Sequence, residues 1–72
     1  MRLSEVTTSE AKQILLGDAS IDTIRRALDM GRLRGRRKGA KRAVRIEVDS
    51  LRTWAHELNY RFDEQLASEL GK

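Results

Sequence analysis

The sequence predicts a small, mostly α domain with one β-hairpin, its first two helices joined as a helix-turn-helix unit. Three observations lead there. Two capped stretches of helical apolar spacing are separated only by "GDAS", a link short enough to make the pair one unit. The apolar period then changes to alternation across "RAVRIEV", as a half-buried strand requires. A further helical stripe begins just after it, in "VDSLRTWAHELN".

The first helix opens at Thr7, followed three residues later by Glu10, the spacing of a capping box. Ala11, Ile14 and Leu15 then share one helical face, and Gly17 is the expected stop. The second helix repeats this grammar, with Ser20 as N-cap, Asp22 in the positively polarised first turn and Gly31 as the stop. Its apolar stripe is Ile21, Ile24 and Leu28.

After Gly31, strands are expected at roughly 33–37 and 42–47, with a Gly-containing tip near Lys38 to Lys41. Val44, Ile46 and Val48 fall on one face, so Arg34, Arg36 and Arg45 are expected to point to solvent or a ligand. A third helix starts at Asp49 as cap and carries Leu51, Trp54, Ala55 and Leu58 on one stripe. Phe62, Leu66 and Leu70 then recur at steps of four, either prolonging that helix or forming a fourth segment. This divides the chain into a domain over 1–59 and an amphipathic C-terminal segment over 60–72, with no proline, repeat or linker.

A chain of 72 residues forms one small core, which by itself seldom supplies more than about 3–5 kcal/mol. It has no cysteine and one histidine, which excludes a disulfide and a thiolate site, so neither metal nor cofactor is expected. The opening "MRLSEVTTSE" lacks the apolar run of a signal peptide or membrane span, and a cytoplasmic protein is expected. His56 lies off the apolar stripe with no nucleophile or orienting partner near it in sequence, and no phosphate-binding loop is present, so no enzyme and no small-molecule ligand are expected. Trp54 belongs to the helical stripe and is expected in the core; stacking on single-stranded bases usually needs several aromatics on a sheet, and the chain has three in all.

The charge is unevenly placed. Of 15 Lys and Arg, eight lie in residues 32–45 with no acidic residue among them, leaving seven against eleven Asp and Glu in the rest of the chain. A mildly acidic body with one cationic element suits a partner that is a polyanion. Basic residues also keep edge strands from aggregating, but one or two would do that. No basic helix with a large apolar face accompanies them, which argues against a membrane surface. On the second helix, Asp22, Thr23, Arg25 and Arg26 face outward; Arg and Thr can contact base edges or phosphates. The plainer alternative is that Arg26 pairs with Asp22 or Asp29 along the helix.

The order of these elements, with "SIDTIRRALDMGRL", a basic hairpin and "RIEVDSLRTWA", resembles the excisionase-like, MerR-related winged-helix DNA-binding domains over roughly residues 5–58. It departs from their pattern in the polar turn of "LLGDAS" and in an unusually basic hairpin, and it lacks the long dimerisation helix of MerR regulators. The resemblance implies a winged helix-turn-helix whose second helix enters the major groove with Asp22, Thr23, Arg25 and Arg26. Its wing would bring Arg34, Arg36, Arg37, Lys38, Lys41, Arg42 and Arg45 to the phosphates.

It further implies a phage-type excisionase, a recombination directionality factor that binds double-stranded DNA beside an attachment site, associates cooperatively on it, bends it and assists a tyrosine integrase. The implied location is the bacterial host cytoplasm, at the nucleoid. Two alternatives stand beside this: a small winged-helix transcriptional repressor, and a protein-interaction module that holds an acidic partner with its basic wing. Tyr60, Phe62, Leu66 and Leu70 either contact a neighbour or integrase, or pack back onto the chain's own core.

Overall fold

The computed structural model describes residues 4–38 and 43–71, with the backbone alone at 37, 38 and 43. Its elements run β1 (Glu5–Val6), α1 (Thr8–Ile14), α2 (Ile21–Asp29), β2 (Gly35–Lys38), β3 (Ala43–Glu47), α3 (Val48–Glu57) and α4 (Glu64–Leu70). The fold is thus mostly helical, with a three-stranded antiparallel sheet ordered β1-β3-β2. The hairpin strands agree with the sequence reading; its expected tip, beyond the backbone of Lys38, lies outside the described residues, as do Lys41 and Arg42.

The first strand was not expected. Two residues cannot display an alternation, yet Glu5 and Val6 pair with Glu47 and Ile46. Val6 and Ile46 are buried and Val44 packs beside them, whereas Glu5, Arg36, Arg45 and Glu47 occupy the opposite face by register.

Helix starts follow their side chains. The Thr7 N–H donates to Glu10 Oε1 at 2.8 Å and the Glu10 N–H donates to Thr7 Oγ1 at 3.1 Å, a complete capping box. Ser20 Oγ accepts from the Thr23 N–H at 3.1 Å. Asp49, however, is not the cap of α3: Glu47 holds that position without a side-chain bond, and Asp49 sits in the first turn. The chain passes from β3 into α3 without a loop, and the Val48 N–H, an otherwise orphan donor, reaches the Ser4 carbonyl at 2.9 Å.

Three helices end in the same way, with a residue in the left-handed region and two backbone bonds that close the last turn. In α2 this residue is the expected Gly31, at φ +76°, with bonds from the Gly31 N–H to the Leu28 carbonyl and from the Arg32 N–H to that of Ala27. In α3 it is Asn59, at φ +58°, which halts the helix and leaves Leu58, expected on the buried stripe, 43% exposed. In α1 Leu16, at φ +55°, enters that region one residue before the expected Gly17, which is also left-handed at φ +80°. A leucine there is strained, because its β-carbon crowds the following carbonyl.

Among the described residues the core contains no polar or charged side chain; its largest fully buried members are Val6, Ile14, Leu15, Ile24, Ile46 and Leu51. Trp54 is buried, as its place on the stripe predicts, and meets Tyr60 edge to face at 5.4 Å. Tyr60, Phe62, Leu66 and Leu70 all pack, partly buried, against this core. The radius of gyration, 11.1 Å, is the roughly 11 Å of a fully folded chain of this length, so the C-terminal segment belongs to the folded body.

Polar contacts fasten that segment. The Asp63 N–H donates to the Ile14 carbonyl at 2.8 Å, and Asp63 Oδ1 caps α4 by accepting from the Leu66 N–H. The Arg61 N–H and Nη2 donate to the Asp18 carboxylate at 2.8 and 3.0 Å, and Nη2 also donates to the Leu16 carbonyl. Arg52 binds Glu64 and Asp49 at 2.8 Å each, its guanidinium 5.3 Å from the centre of the Phe62 ring. Among the described residues, no helix is long and apolar enough to cross a membrane.

Two outcomes follow from this wiring. Replacing the strained Leu16 by glycine removes about 1–2 kcal/mol of left-handed cost and gives back about 0.5–1 in chain entropy, so L16G is expected to raise the denaturation midpoint slightly. Hydrogen bonds from the Arg61 side chain, then from its backbone, hold the Asp18 carboxyl below the usual carboxylate range, and those from Arg52 do the same for Glu64. Groups so depressed stabilise the fold fully above their unfolded pKa and lose that contribution as pH falls through the folded one. Thermal midpoints should therefore drop as pH falls below about 4, and D18N should show a shallower drop, measured by circular dichroism from pH 7 to pH 2.

Candidate functional site

The basic hairpin and α2 are joined by five residues, Met30 to Arg34, most of them held by backbone bonds. The Arg32 and Leu33 N–H groups both donate to the Ala27 carbonyl, at 2.8 and 3.2 Å, which folds the chain back along the end of α2. Leu33 is buried as a peg. The Arg34 N–H then donates to Ser50 Oγ on α3 at 2.8 Å, and the Arg34 carbonyl accepts from the Glu47 N–H at 2.9 Å. At Gly35 a β-carbon would stand 2.5 Å from the Arg45 carbonyl oxygen and 2.8 Å from a Leu28 methyl. Only a glycine fits between the β3 backbone of the hairpin and the Leu28 side chain of α2.

On α2, Ile24 and Ala27 are buried while Asp22, Arg25, Arg26 and Asp29 are exposed. Steps of three and four put these four on one arc of the helix. The arc carries two positive and two negative charges and has no net attraction for a polyanion. Among the described residues no ion pair engages Arg25 or Arg26, so the alternative pairing of Arg26 with Asp22 is not made. Thr23 is half-buried, its hydroxyl sharing a 2.9 Å hydrogen bond with that of Ser20. It supports the cap as well as facing outward.

The net positive charge comes from the hairpin. Arg34 and Arg45 are exposed with no ion pair among the described residues, and Arg32, in the junction, joins them. Arg36 stands directly opposite Arg45 on the outer face of the sheet. It is not an idle cation: Nε and Nη2 donate to the two Glu5 oxygens at 3.0 and 3.1 Å. Arg37 and Lys38 lie on β2 opposite Val44 and Ala43; Lys41 and Arg42 fall outside the described residues. The structure thus joins α2 to the hairpin through a hydrogen-bonded turn. Glu5, absent from the sequence reading, emerges as the partner of a cationic site residue, and no local pattern could have disclosed a contact 31 residues away.

Tyr60, Phe62, Leu66 and Leu70 are turned onto the core rather than presented as a separate surface. His56 is exposed at the end of α3. No group of three or more His, Cys, Asp or Glu among the described residues is placed to hold a metal ion. An open groove of about 490 Å³ beside the junction is lined by Arg32, Arg34, Glu47, Asp49, Trp54 and Glu57 among others. Its mixed charge makes it a poor continuation of the cationic surface. Comparison with models of known protein families, with curated proteins and with solved structures finds no significant match to this chain.

The close approach at Gly35 has a measurable consequence. G35A must push the β3 backbone or Leu28 aside, a form of overpacking that costs about 1–3 kcal/mol. Urea denaturation should show that loss, whereas alanine at exposed Arg45 should leave the midpoint nearly unchanged.

Proposed function

We propose that this chain is a double-stranded DNA-binding module of winged helix-turn-helix type. In this reading α1 and α2 form the helix-turn-helix, α2 enters the major groove, and β2 and β3 are the wing along the neighbouring backbone. The observation that carries the reading is the junction at buried Leu33 and Gly35, which sets a charge-balanced helix face beside a strongly cationic strand pair. The two surfaces suit different tasks. A neutral face gains little from any phosphate, but its Arg25 and Arg26 can donate in pairs to guanine, worth about 1–3 kcal/mol of discrimination each. The cationic hairpin supplies the sequence-independent, salt-dependent attraction.

Within that class we assign the chain an architectural role like that of the phage-type excisionases it resembles. It would bind near an attachment site, self-associate cooperatively, bend the DNA and direct an integrase. The cationic hairpin supports this, since bending DNA relies on phosphate contacts and shape. Tyr60, Phe62, Leu66 and Leu70 keep enough exposure to offer a neighbouring protein their outer edges, with the core holding the rest.

Fluorescence anisotropy with duplexes of increasing length, at several salt concentrations, tests the reading. R25A or R26A should reduce discrimination between the preferred and random sequences. R34A and R45A should weaken all duplexes alike and lower the salt slope by roughly 0.9 for each phosphate that is no longer neutralised. Equal effects of both kinds of change on both kinds of DNA would contradict this division. Duplex binding no tighter than heparin binding would point instead to an acidic protein partner.

A further inference from the structure

Arg36 is the one hairpin arginine among the described residues held in a two-pronged pair, and its partner comes from the opposite edge strand. Glu5 lies on β1, Arg36 on β2, and β3 runs between them. The guanidinium reaches across β3 to both carboxylate oxygens, at 3.0 and 3.1 Å. The Arg36 side chain keeps 62% of its exposure while that of Glu5 keeps 16%. The carboxylate is therefore the anchored member and the arginine the accessible one.

The pairings around them explain why a carboxylate sits there. Arg36 is directly opposite Arg45 and Glu5 directly opposite Glu47, and like charges in directly opposed positions destabilise a sheet. The crossed pair relieves both repulsions. It also presents to Arg36 the planar, two-oxygen acceptor geometry through which a guanidinium grips carboxylate and phosphate alike.

We propose that Glu5 is an internal substitute for a DNA phosphate, occupying Arg36 in the free protein and thereby limiting how tightly the hairpin holds non-specific duplex. This rests on the DNA-binding reading above. Affinity for a polyanion grows as each protein cation neutralises a phosphate and releases a condensed counterion. A cation already neutralised within the protein must first give up its partner. Arg36 thus contributes little to random-sequence binding, while Arg34 and Arg45 contribute fully. A site whose shape brings a phosphate closely over β2 can displace the carboxylate, so Glu5 widens the gap between specific and random DNA.

The test is the salt dependence of binding to a random-sequence duplex, read by anisotropy between 50 and 200 mM salt. E5Q keeps the side chain's shape and frees Arg36. Its slope should steepen by about 0.9, so that the fall in affinity across that range grows about threefold. E69Q, an equal change in net charge on exposed α4, controls for charge alone and should change the slope far less. Adding R36A to E5Q should abolish the gain. A second comparison does not depend on E5Q folding: R36A in the parent should lower the slope by much less than R45A does.

An E5Q slope equal to that of E69Q, or an R36A effect as large as that of R45A, would overturn the role of Glu5 while leaving the DNA-binding reading in place. Absence of duplex binding by both the parent and E5Q would overturn the two together.

Discussion

At Gly35 strand β2 lies so close to the Arg45 carbonyl of β3, and to a Leu28 methyl of α2, that no room is left for a β-carbon. Buried Leu33, two residues earlier, fixes the chain on the end of α2. Once those contacts are made, the direction of β2 is set, β3 pairs with it in register, and α3 begins without a loop from the last residue of β3. The Ser4 carbonyl then meets the first N–H of α3 and draws β1 onto the free edge of β3. The arrangement of the sheet and of α3 thus depends on one place where two backbones need an unusually close approach.

The placement at that junction gives the charge distribution its meaning. The exposed arc of α2 balances Arg25 and Arg26 against Asp22 and Asp29, whereas the hairpin is overwhelmingly cationic. On the proposed reading the body supplies orientation, the hairpin attraction and the helix selectivity. The acidic residues outside the hairpin are put to structural use: Asp18 and Glu64 fasten the C-terminal segment through Arg61 and Arg52, and Glu5 pairs with Arg36. The polar turn that departs from the excisionase pattern has a concrete role here, since Asp18 within it is the anchor for Arg61.

Much of this order was legible in the sequence because its signals are local. Thr7 with Glu10, Ser20, and Gly31 each act within one helical turn of themselves, and the alternation of Val44 and Ile46 needs only its own strand. Where the determining contact lies far along the chain, the sequence reading missed or misplaced it. Strand β1 exists through β3, some forty residues on; the cap of α3 moved to Glu47 because Ser4 satisfies the next N–H. Leu16 and Asn59 show a different limit: neither is the glycine that marks a left-handed stop, and closure of the turn overrides the preference. The return of α4 onto α1 was one of two open alternatives, because an amphipathic stripe states that a face is covered but not by what.

The most direct measurement of the central claim, that α2 and the hairpin form one DNA-facing surface, is a nuclear magnetic resonance titration of the isotope-labelled chain with a short duplex. The account predicts amide shift changes concentrated from Ser20 to Arg26 and from Arg32 to Arg45, with the outer faces of α3 and α4 unmoved. Changes confined to the hairpin alone, or centred on the groove lined by Asp49, Thr53 and Glu57, would contradict it.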